Sequence, residues 1–137
     1  MYSKNDNKEK KNFKIALVAG EQSGDQLGAS LIKSLKEIFP LASFIGVGGN
    51  SMKEQGLISF FDMEKISVMG IIDPLLKISE LLSLRKNLKK YLSKQEPDIF
   101  IGIDSPDFNL PISRHLKNKG IITIQYVSPS VWAWRKG

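Results

Sequence analysis

Short apolar runs alternate with longer segments of helical periodicity along almost the whole chain. The apolar runs have the length of buried strands, and they fall at residues 14–19, 44–47, 98–103 and 121–126. Parallel strands need a long crossover, usually a helix, so strands separated by helices are typical of a parallel sheet. The sequence therefore predicts an α/β fold, a Rossmann-like parallel sheet with helices on both faces.

Proline and glycine residues mark the ends of the predicted helices. Proline cannot continue a helix, and glycine after the last turn favours a left-handed cap. The longest segment has basic residues between its apolar positions, which indicates an amphipathic helix. The predicted helices are about 27–39 before Pro40, 51–55 before Gly56, 74–94 before Pro97, and 110–118 with Pro111 in its first turn and Gly120 as C-cap; residues 57–61 are predicted to be extended.

Length and composition limit the number of domains and the redox compartment. The chain has 137 residues, 42% of them hydrophobic, which suffices for one core and is too short for two full domains. Residues 1–12 are polar and lysine-rich, and we expect them to form a disordered basic tail ahead of a domain over residues 13–137. The sequence contains no cysteine, which excludes disulfides and thiolate chemistry and fits a reducing cytoplasm.

The net charge of +6 is concentrated in two clusters. Clustered cations suit phosphate groups or anionic lipid surfaces. The alternative is that each cluster is an ordinary solvated face. The clusters are Lys4, Lys8, Lys10 and Lys11 in the tail, and Arg85, Lys86, Lys89, Lys90 and Lys94 in the long predicted helix.

Two carboxylates follow the third apolar run, in the stretch from Gly102 to Asn109. The carboxyl edge of a parallel sheet is where α/β proteins build their sites. Asp104 and Asp107 can each be a general base, a metal ligand or a turn former, and Asp107 or Asn109 can cap the following helix. Asp104 stands directly at the strand end, which favours a functional role. Two carboxylates without a histidine or a third acid nearby make a weak metal site.

Two glycine-containing turns follow the first two strands. In the turn from Gly20 to Asp25, backbone amides at a helix N-terminus can face an anion, although the turn lacks the lysine of a Walker loop. Ser23 or Asp25 as a simple helix N-cap is an equally good interpretation. The second turn, residues 46–50, can admit a sugar or a phosphate, but its spacing favours a plain turn.

Three further features have both a functional and a structural interpretation. His115, the one histidine, falls inside a helical pattern and favours a surface or packing role. The apolar segment 68–78 is either a buried helix start or a membrane-surface insertion followed by cations. Residues 128–135 combine tryptophans with an arginine, which suits sugar or acyl ligands as well as core packing.

Five motifs, in this order, closely resemble those of the lipid-A-disaccharide synthases, the glycosyltransferases of lipopolysaccharide assembly. The resemblance runs from about residue 15 to the last residue, and five motifs in register are far more specific than any one alone. The motifs are ALVAGEQSGD at 16–25, GVGG at 46–49, SVMG at 67–70, PDIFIGIDSPDFN at 97–109 and YVSPSVWAWR at 126–135.

The resemblance implies that residues 13–137 are an incomplete Rossmann-like amino-terminal domain of a two-domain GT-B glycosyltransferase. It implies an inverting transfer of 2,3-diacylglucosamine from UDP-2,3-diacylglucosamine to 2,3-diacylglucosamine 1-phosphate (lipid X), giving a β-1,6 disaccharide and UDP. Asp104 would be the general base, and neither a metal nor another cofactor is implied. The residues expected to bind substrate are Glu21, Ser23, Gly24, Asp107, Asn109, Ser128 and Trp132.

Because both substrates would carry acyl chains, the resemblance also implies peripheral contact with the anionic inner membrane of a Gram-negative bacterium, and no nucleic-acid partner. The residues expected to contact the membrane are Ile71, Ile72, Leu75, Leu76, Arg85 and Lys86. Without a carboxyl-terminal domain we expect the isolated chain to be inactive. The alternatives are a non-catalytic lipid-binding remnant, one half of a split enzyme, and an unrelated flavodoxin-like nucleotide binder, which the five motifs disfavour.

Overall fold

The computed structural model describes residues 12–69 and 74–126, with side chains described except at 68–69 and 74–77. Five strands and five helices alternate within these residues, with two helices between β3 and β4. They are β1 (Lys14–Val18), α1 (Gln22–Ile38), β2 (Ser43–Val47), α2 (Asn50–Glu54), β3 (Leu57–Ser59), α3 (Glu64–Met69), α4 (Pro74–Gln95), β4 (Ile99–Ile103), α5 (Pro106–Asn118) and β5 (Ile122–Tyr126). The predicted tail over residues 1–12 lies outside the described residues except for Asn12.

The five strands form one parallel sheet in the order β3-β2-β1-β4-β5. This confirms the predicted parallel sheet. The strand order reverses between β1 and β4, whose registers place Val18 beside Gly102. At such a switch point the two connections leave the sheet in opposite directions, which opens a crevice at the carboxyl edge. The fold therefore provides one natural place for a ligand.

Helices lie on both faces of the sheet, as predicted. Right-handed crossovers that move in opposite directions from the switch point put α1 and α5 on opposite faces. Helix α1 packs with α2, whereas α5 packs on β4 and β5 and contacts α4. The core between them is apolar and fully buried, with Leu17 and Phe100 from the sheet and Ile32, Leu92 and Leu116 from the helices.

Helix α5 begins four residues earlier than predicted, at Pro106, so Pro111 lies inside it and not in its first turn. Proline at the first helical position is favourable because its missing N–H has no intrahelical partner there. Pro111, five residues on, cannot donate to the carbonyl of Asp107. That carbonyl instead accepts a hydrogen bond from Arg85 Nη1 at 3.1 Å. The arginine on α4 thus satisfies the acceptor that the internal proline leaves free.

The predicted helix caps also differ from the observed ones. Ser105 is the N-cap of α5 and Glu21 is the N-cap of α1, so the interpretations of Asp107 or Asn109, and of Ser23 or Asp25, as caps of these helices are wrong. Within the described residues, none of the helices is both long enough and apolar enough to span a membrane.

Candidate functional site

The candidate site lies in the switch-point crevice, between the segments that follow β1 and β4. Strand β1 leads into the turn before α1, and β4 leads into Asp104 and Ser105. The residues after β1 that face solvent are Glu21, Gln22 and Ser23. Because the carboxyl ends of neighbouring parallel strands share one edge of the sheet, residues 84 positions apart in sequence come together here.

The Asp104 carboxylate joins the two segments. Its Oδ1 accepts the backbone N–H of Gly20 at 2.9 Å, and its Oδ2 accepts the N–H of Glu21 at 3.2 Å. A negative charge at this position is favoured because it lies at the positive end of the α1 dipole. The backbone amides of this turn were predicted to face a ligand anion. Those of Gly20 and Glu21 instead donate to a carboxylate of the chain itself.

The backbone at Asp104 is strained, and the buried Asn109 side chain binds it by hydrogen bonds. Asp104 and Ser105 have φ angles of 54° and 37°, in the left-handed region that costs a non-glycine residue about 1–2 kcal/mol. The Asn109 side chain is fully buried, and its Nδ2 donates to the carbonyl of Asp104 at 3.0 Å and to that of Val18 at 3.2 Å. Asn109 thus fixes the backbone from which the Asp104 carboxylate projects.

Burial raises the pKa of Asp104 above its ordinary value of 3.8, although the hydrogen bonds from Gly20, Ser105 and Glu21 act in the opposite direction. Desolvation disfavours the charged form of a carboxyl group, which makes the ionised form a stronger base. A partly exposed carboxylate with raised pKa and a fixed position is suited to removing a proton from a hydroxyl group.

Two glycines allow the segments to approach this closely. Gly24 is buried, and a Cβ built on it would collide with Oδ2 of Asp104. A Cβ on Gly20 would stand 2.6 Å from the Ser105 hydroxyl oxygen. The glycines of the first turn therefore let the carboxylate reach the start of α1.

A polar cavity of about 560 Å³ lies beside this crevice. It is bounded by the start of α1, the second glycine turn and the start of α3. Gly49 and Asn50 of that turn line it, so the turn does face a space of ligand size. The cavity is lined by Gln22, Asp25, Gly49, Asn50, Ser51, Lys53, Asp62, Met63, Glu64 and Ser67.

Asp25 organises this cavity, a role that the sequence analysis missed. Its side chain is 5% exposed, and its two oxygens accept the N–H groups of Gly49, Ser51 and Met52 at 2.8–3.0 Å. The side chain on α1 therefore caps α2 across the fold. The sequence contained both partners, an acid one turn into a helix and a Gly-Gly-Asn-Ser turn. Only the tertiary fold shows that the acid binds the backbone of that turn.

Replacing Asp25 with alanine is expected to destabilise the fold by about 2–3 kcal/mol, because three backbone donors, one of them buried, lose a shared acceptor. Urea unfolding measures the change. Asp62→Ala is the control, since this exposed carboxylate accepts one long bond, from Glu64 N–H at 3.3 Å, and should cost at most about 1 kcal/mol. Equal losses for the two variants would contradict the role given to Asp25.

Five of the seven predicted substrate-binding residues lie within the part of the chain that the structure describes. Glu21 and Ser23 are exposed beside Asp104, and Asp107 is exposed in the first turn of α5. Gly24 and Asn109 are buried, and they contact Asp104 from behind. Ser128 and Trp132 lie outside the described residues.

The residues predicted to contact a membrane are described only in part. Ile71 and Ile72 lie outside the described residues, as do the side chains of Leu75 and Leu76 in the first turn of α4. Arg85 is half-buried and donates to the Asp107 carbonyl, whereas Lys86 is exposed. His115 is half-buried, in line with the predicted surface or packing role, and its Nε2 lies 3.0 Å from the Ser93 hydroxyl.

Comparison with known proteins points to one family. The family model for lipid-A-disaccharide synthetase matches residues 15–137. A lipid-A-disaccharide synthase of Alcanivorax borkumensis is 58% identical over 123 residues, 90% of this chain and 32% of the relative. Synthases of the same name from Pseudomonas fluorescens and Idiomarina loihiensis are each 56% identical, over 91% and 90% of this chain and 33% of each relative. The chain spans about a third of the length of the curated relatives it matches.

Proposed function

This chain belongs to the lipid-A-disaccharide synthetase family, and from that membership we propose that it supplies the acceptor side of a glycosyltransferase active site. The longer protein would transfer 2,3-diacylglucosamine from UDP-2,3-diacylglucosamine to 2,3-diacylglucosamine 1-phosphate. The observation on which this rests is the Asp104 carboxylate at the switch point, fixed by two backbone donors and raised in pKa.

In the proposed reaction Asp104 removes the proton of the acceptor 6-hydroxyl while the oxygen of that hydroxyl attacks C1 of the donor sugar. The bond from that oxygen to C1 forms while the bond from C1 to the UDP oxygen breaks, so the configuration at C1 inverts. The proton passes to the Asp104 carboxylate, and UDP leaves with the bonding electron pair. The Asp104 carboxylate accepts hydrogen bonds from Gly20, Glu21 and Ser105. Because a carboxylate has about four acceptor sites, it can still accept a hydrogen bond from the substrate hydroxyl.

The residues around Asp104 take different parts in this proposal. Glu21, Ser23 and Asp107 are exposed and would contact the acceptor sugar, whereas Gly24 and Asn109 would hold the base in place. Ser128 and Trp132 are proposed to complete the substrate site. In the GT-B arrangement proposed here, a carboxyl-terminal domain would bind UDP and stabilise its departing charge.

The test is an assay of the full-length protein that contains this sequence, with both defined substrates. We expect formation of the disaccharide and stoichiometric UDP, and no turnover by the 137-residue chain alone, because the proposal assigns stabilisation of the leaving group to the carboxyl-terminal domain. Turnover by the isolated chain would contradict the two-domain proposal. Lipid binding by the full-length protein without turnover would instead favour a non-catalytic lipid-binding protein.

We further propose that the protein works at the surface of the anionic inner membrane, where acylated substrates reside. The start of α4 with residues 71–76 would enter the interface, and cations further along α4, including Lys86, would lie near headgroups. Arg85 fits this role less well than Lys86, since it already binds the Asp107 carbonyl.

A further inference from the structure

A basic groove lies between α4 and the end of α5, and the proposed transfer reaction gives it no role. The groove has a volume of about 570 Å³. Four of its five lysines belong to the charged run on α4, and the fold adds His115 from α5 and Lys119, which follows that helix. The basic groove is lined by Lys86, Lys89, Lys90, Ser93, Lys94, His115 and Lys119.

The lining of the basic groove is cationic or neutral throughout. Burial, followed by the charges of Lys119 and Lys89, lowers the pKa of His115 below its ordinary 6.5, so the histidine adds a polar and uncharged surface at neutral pH. Its Nε2 and the Ser93 hydroxyl are hydrogen-bonded to each other. Like charges on both walls of a concave surface repel each other, and a bound anion relieves that repulsion.

The basic groove lies at the opposite edge of the sheet from Asp104. Helix α4 returns the chain from the carboxyl edge to the start of β4, so its later turns approach the amino edge. Lys89 is fifteen residues into α4, about 22 Å from its start at 1.5 Å per residue. Lys119 follows the last residue of α5, which begins beside Asp104. The groove is therefore separate from the proposed substrate site.

An apolar cavity adjoins the basic groove along α4. It has a volume of about 460 Å³ and is lined by Phe60, Phe61, Leu84, Asn87, Lys90, Tyr91 and Lys94. Phe60 stacks on Tyr91 with ring centroids 4.3 Å apart, and Phe60 is 42% exposed. Lys90 and Lys94 line both cavities. A ridge of cations thus separates an aromatic surface from a polar one, which is the arrangement that an amphiphilic anion requires.

We propose that the basic groove binds the phosphate headgroup of an anionic phospholipid, with the apolar part of the lipid against Phe60 and Tyr91. This inference rests on the proposed membrane association and adds a defined headgroup site to it. It places the side of the domain formed by α4 and the end of α5 against the membrane, in addition to the start of α4.

The test is binding of the full-length protein to phosphatidylcholine vesicles with and without phosphatidylglycerol. The double variant Lys89→Gln/Lys119→Gln removes one lysine from each wall of the groove. The control Lys33→Gln/Lys36→Gln removes two exposed lysines from α1, on the other face of the sheet. At about 1 kcal/mol for each lysine near an anionic surface, the groove variant should bind phosphatidylglycerol vesicles about 30-fold more weakly than wild type, and the control much less so.

The outcomes separate this inference from the proposals on which it rests. Equal weakening in both double variants would assign the binding to net charge and overturn the groove as a site. Free inorganic phosphate can be added to occupy the groove at constant ionic strength. If vesicle binding is then unchanged, the groove is not the headgroup site. Wild type that fails to bind any vesicle would overturn both the groove and the membrane association. Transfer activity in detergent tests the reaction separately, and unchanged thermal melting shows that both variants are folded.

Discussion

Asp104→Asn in the full-length protein is expected to lower kcat for disaccharide formation by about 10²–10⁴-fold, the usual contribution of a positioned general base. An amide has the same shape as the carboxylate, but it cannot take the proton of the acceptor hydroxyl. The amide nitrogen of the variant side chain would also face one of the two backbone N–H donors that the carboxylate now accepts. Release of UDP under saturating substrates measures the change.

Two comparisons separate a lost base from a disturbed structure. Glu37→Gln removes an exposed carboxylate near the far end of α1, which has no part in the proposed site, and should leave most of kcat. For wild type, the rate should fall on acidification, because the base acts only when ionised. The midpoint of that fall should lie above the ordinary value of 3.8, since burial raises the pKa of Asp104. An unchanged kcat in Asp104→Asn would exclude Asp104 as the base.

Gly24→Ala is expected to destabilise the fold by about 1–3 kcal/mol, the usual cost of overpacking, and to lower kcat by about 10²-fold. In an exposed helix interior this change would stabilise by about 1 kcal/mol, but here the new methyl group meets Oδ2 of Asp104. The carboxylate must move, and a displacement of about 1 Å in a catalytic group is enough for a loss of that size. Urea unfolding and the UDP assay measure the two effects.

Gly28→Ala is the matched control for this prediction, because it lies one turn further along α1. Its added Cβ would stand 2.7 Å from Met52 Sδ and 2.9 Å from Ile103 Cδ1, and so it disturbs side-chain packing but not the Asp104 carboxylate. It should lower stability while leaving kcat near the wild-type value. Similar losses of kcat in both variants would mean that Gly24 acts through stability alone.

The sequence predicted the sheet and the position of its acids well, because both depend on local pattern. Runs of apolar residues indicated four of the five strands, and β3 falls within residues 57–61, which were predicted to be extended. The stretch after β4 placed Asp104 at the carboxyl edge. The identity of the base follows from the family resemblance and stays a prediction. The residues alone indicated only that the end of β4 carries the candidate base.

The remaining features depend on tertiary partners, which no local pattern contains. Pro111 was predicted to stand in a first turn because an internal proline leaves a carbonyl unpaired, and only the fold brings Arg85 to that carbonyl. Asp25 and Asn109 are of residue types that usually cap helices or lie on the surface. Both are instead buried and bind backbone groups of other elements. Their roles follow from chain segments 24–91 residues away.

The most direct test of the proposed mechanism is a structure of the full-length protein with 2,3-diacylglucosamine 1-phosphate and UDP bound. The proposal predicts that the acceptor 6-hydroxyl oxygen lies within about 3.2 Å of an Asp104 carboxylate oxygen, with the bonds to Gly20 and Glu21 retained. An acceptor hydroxyl bound away from this crevice, with Asp104 contacting only those two backbone amides, would contradict it and leave Asp104 as a structural link between the two segments.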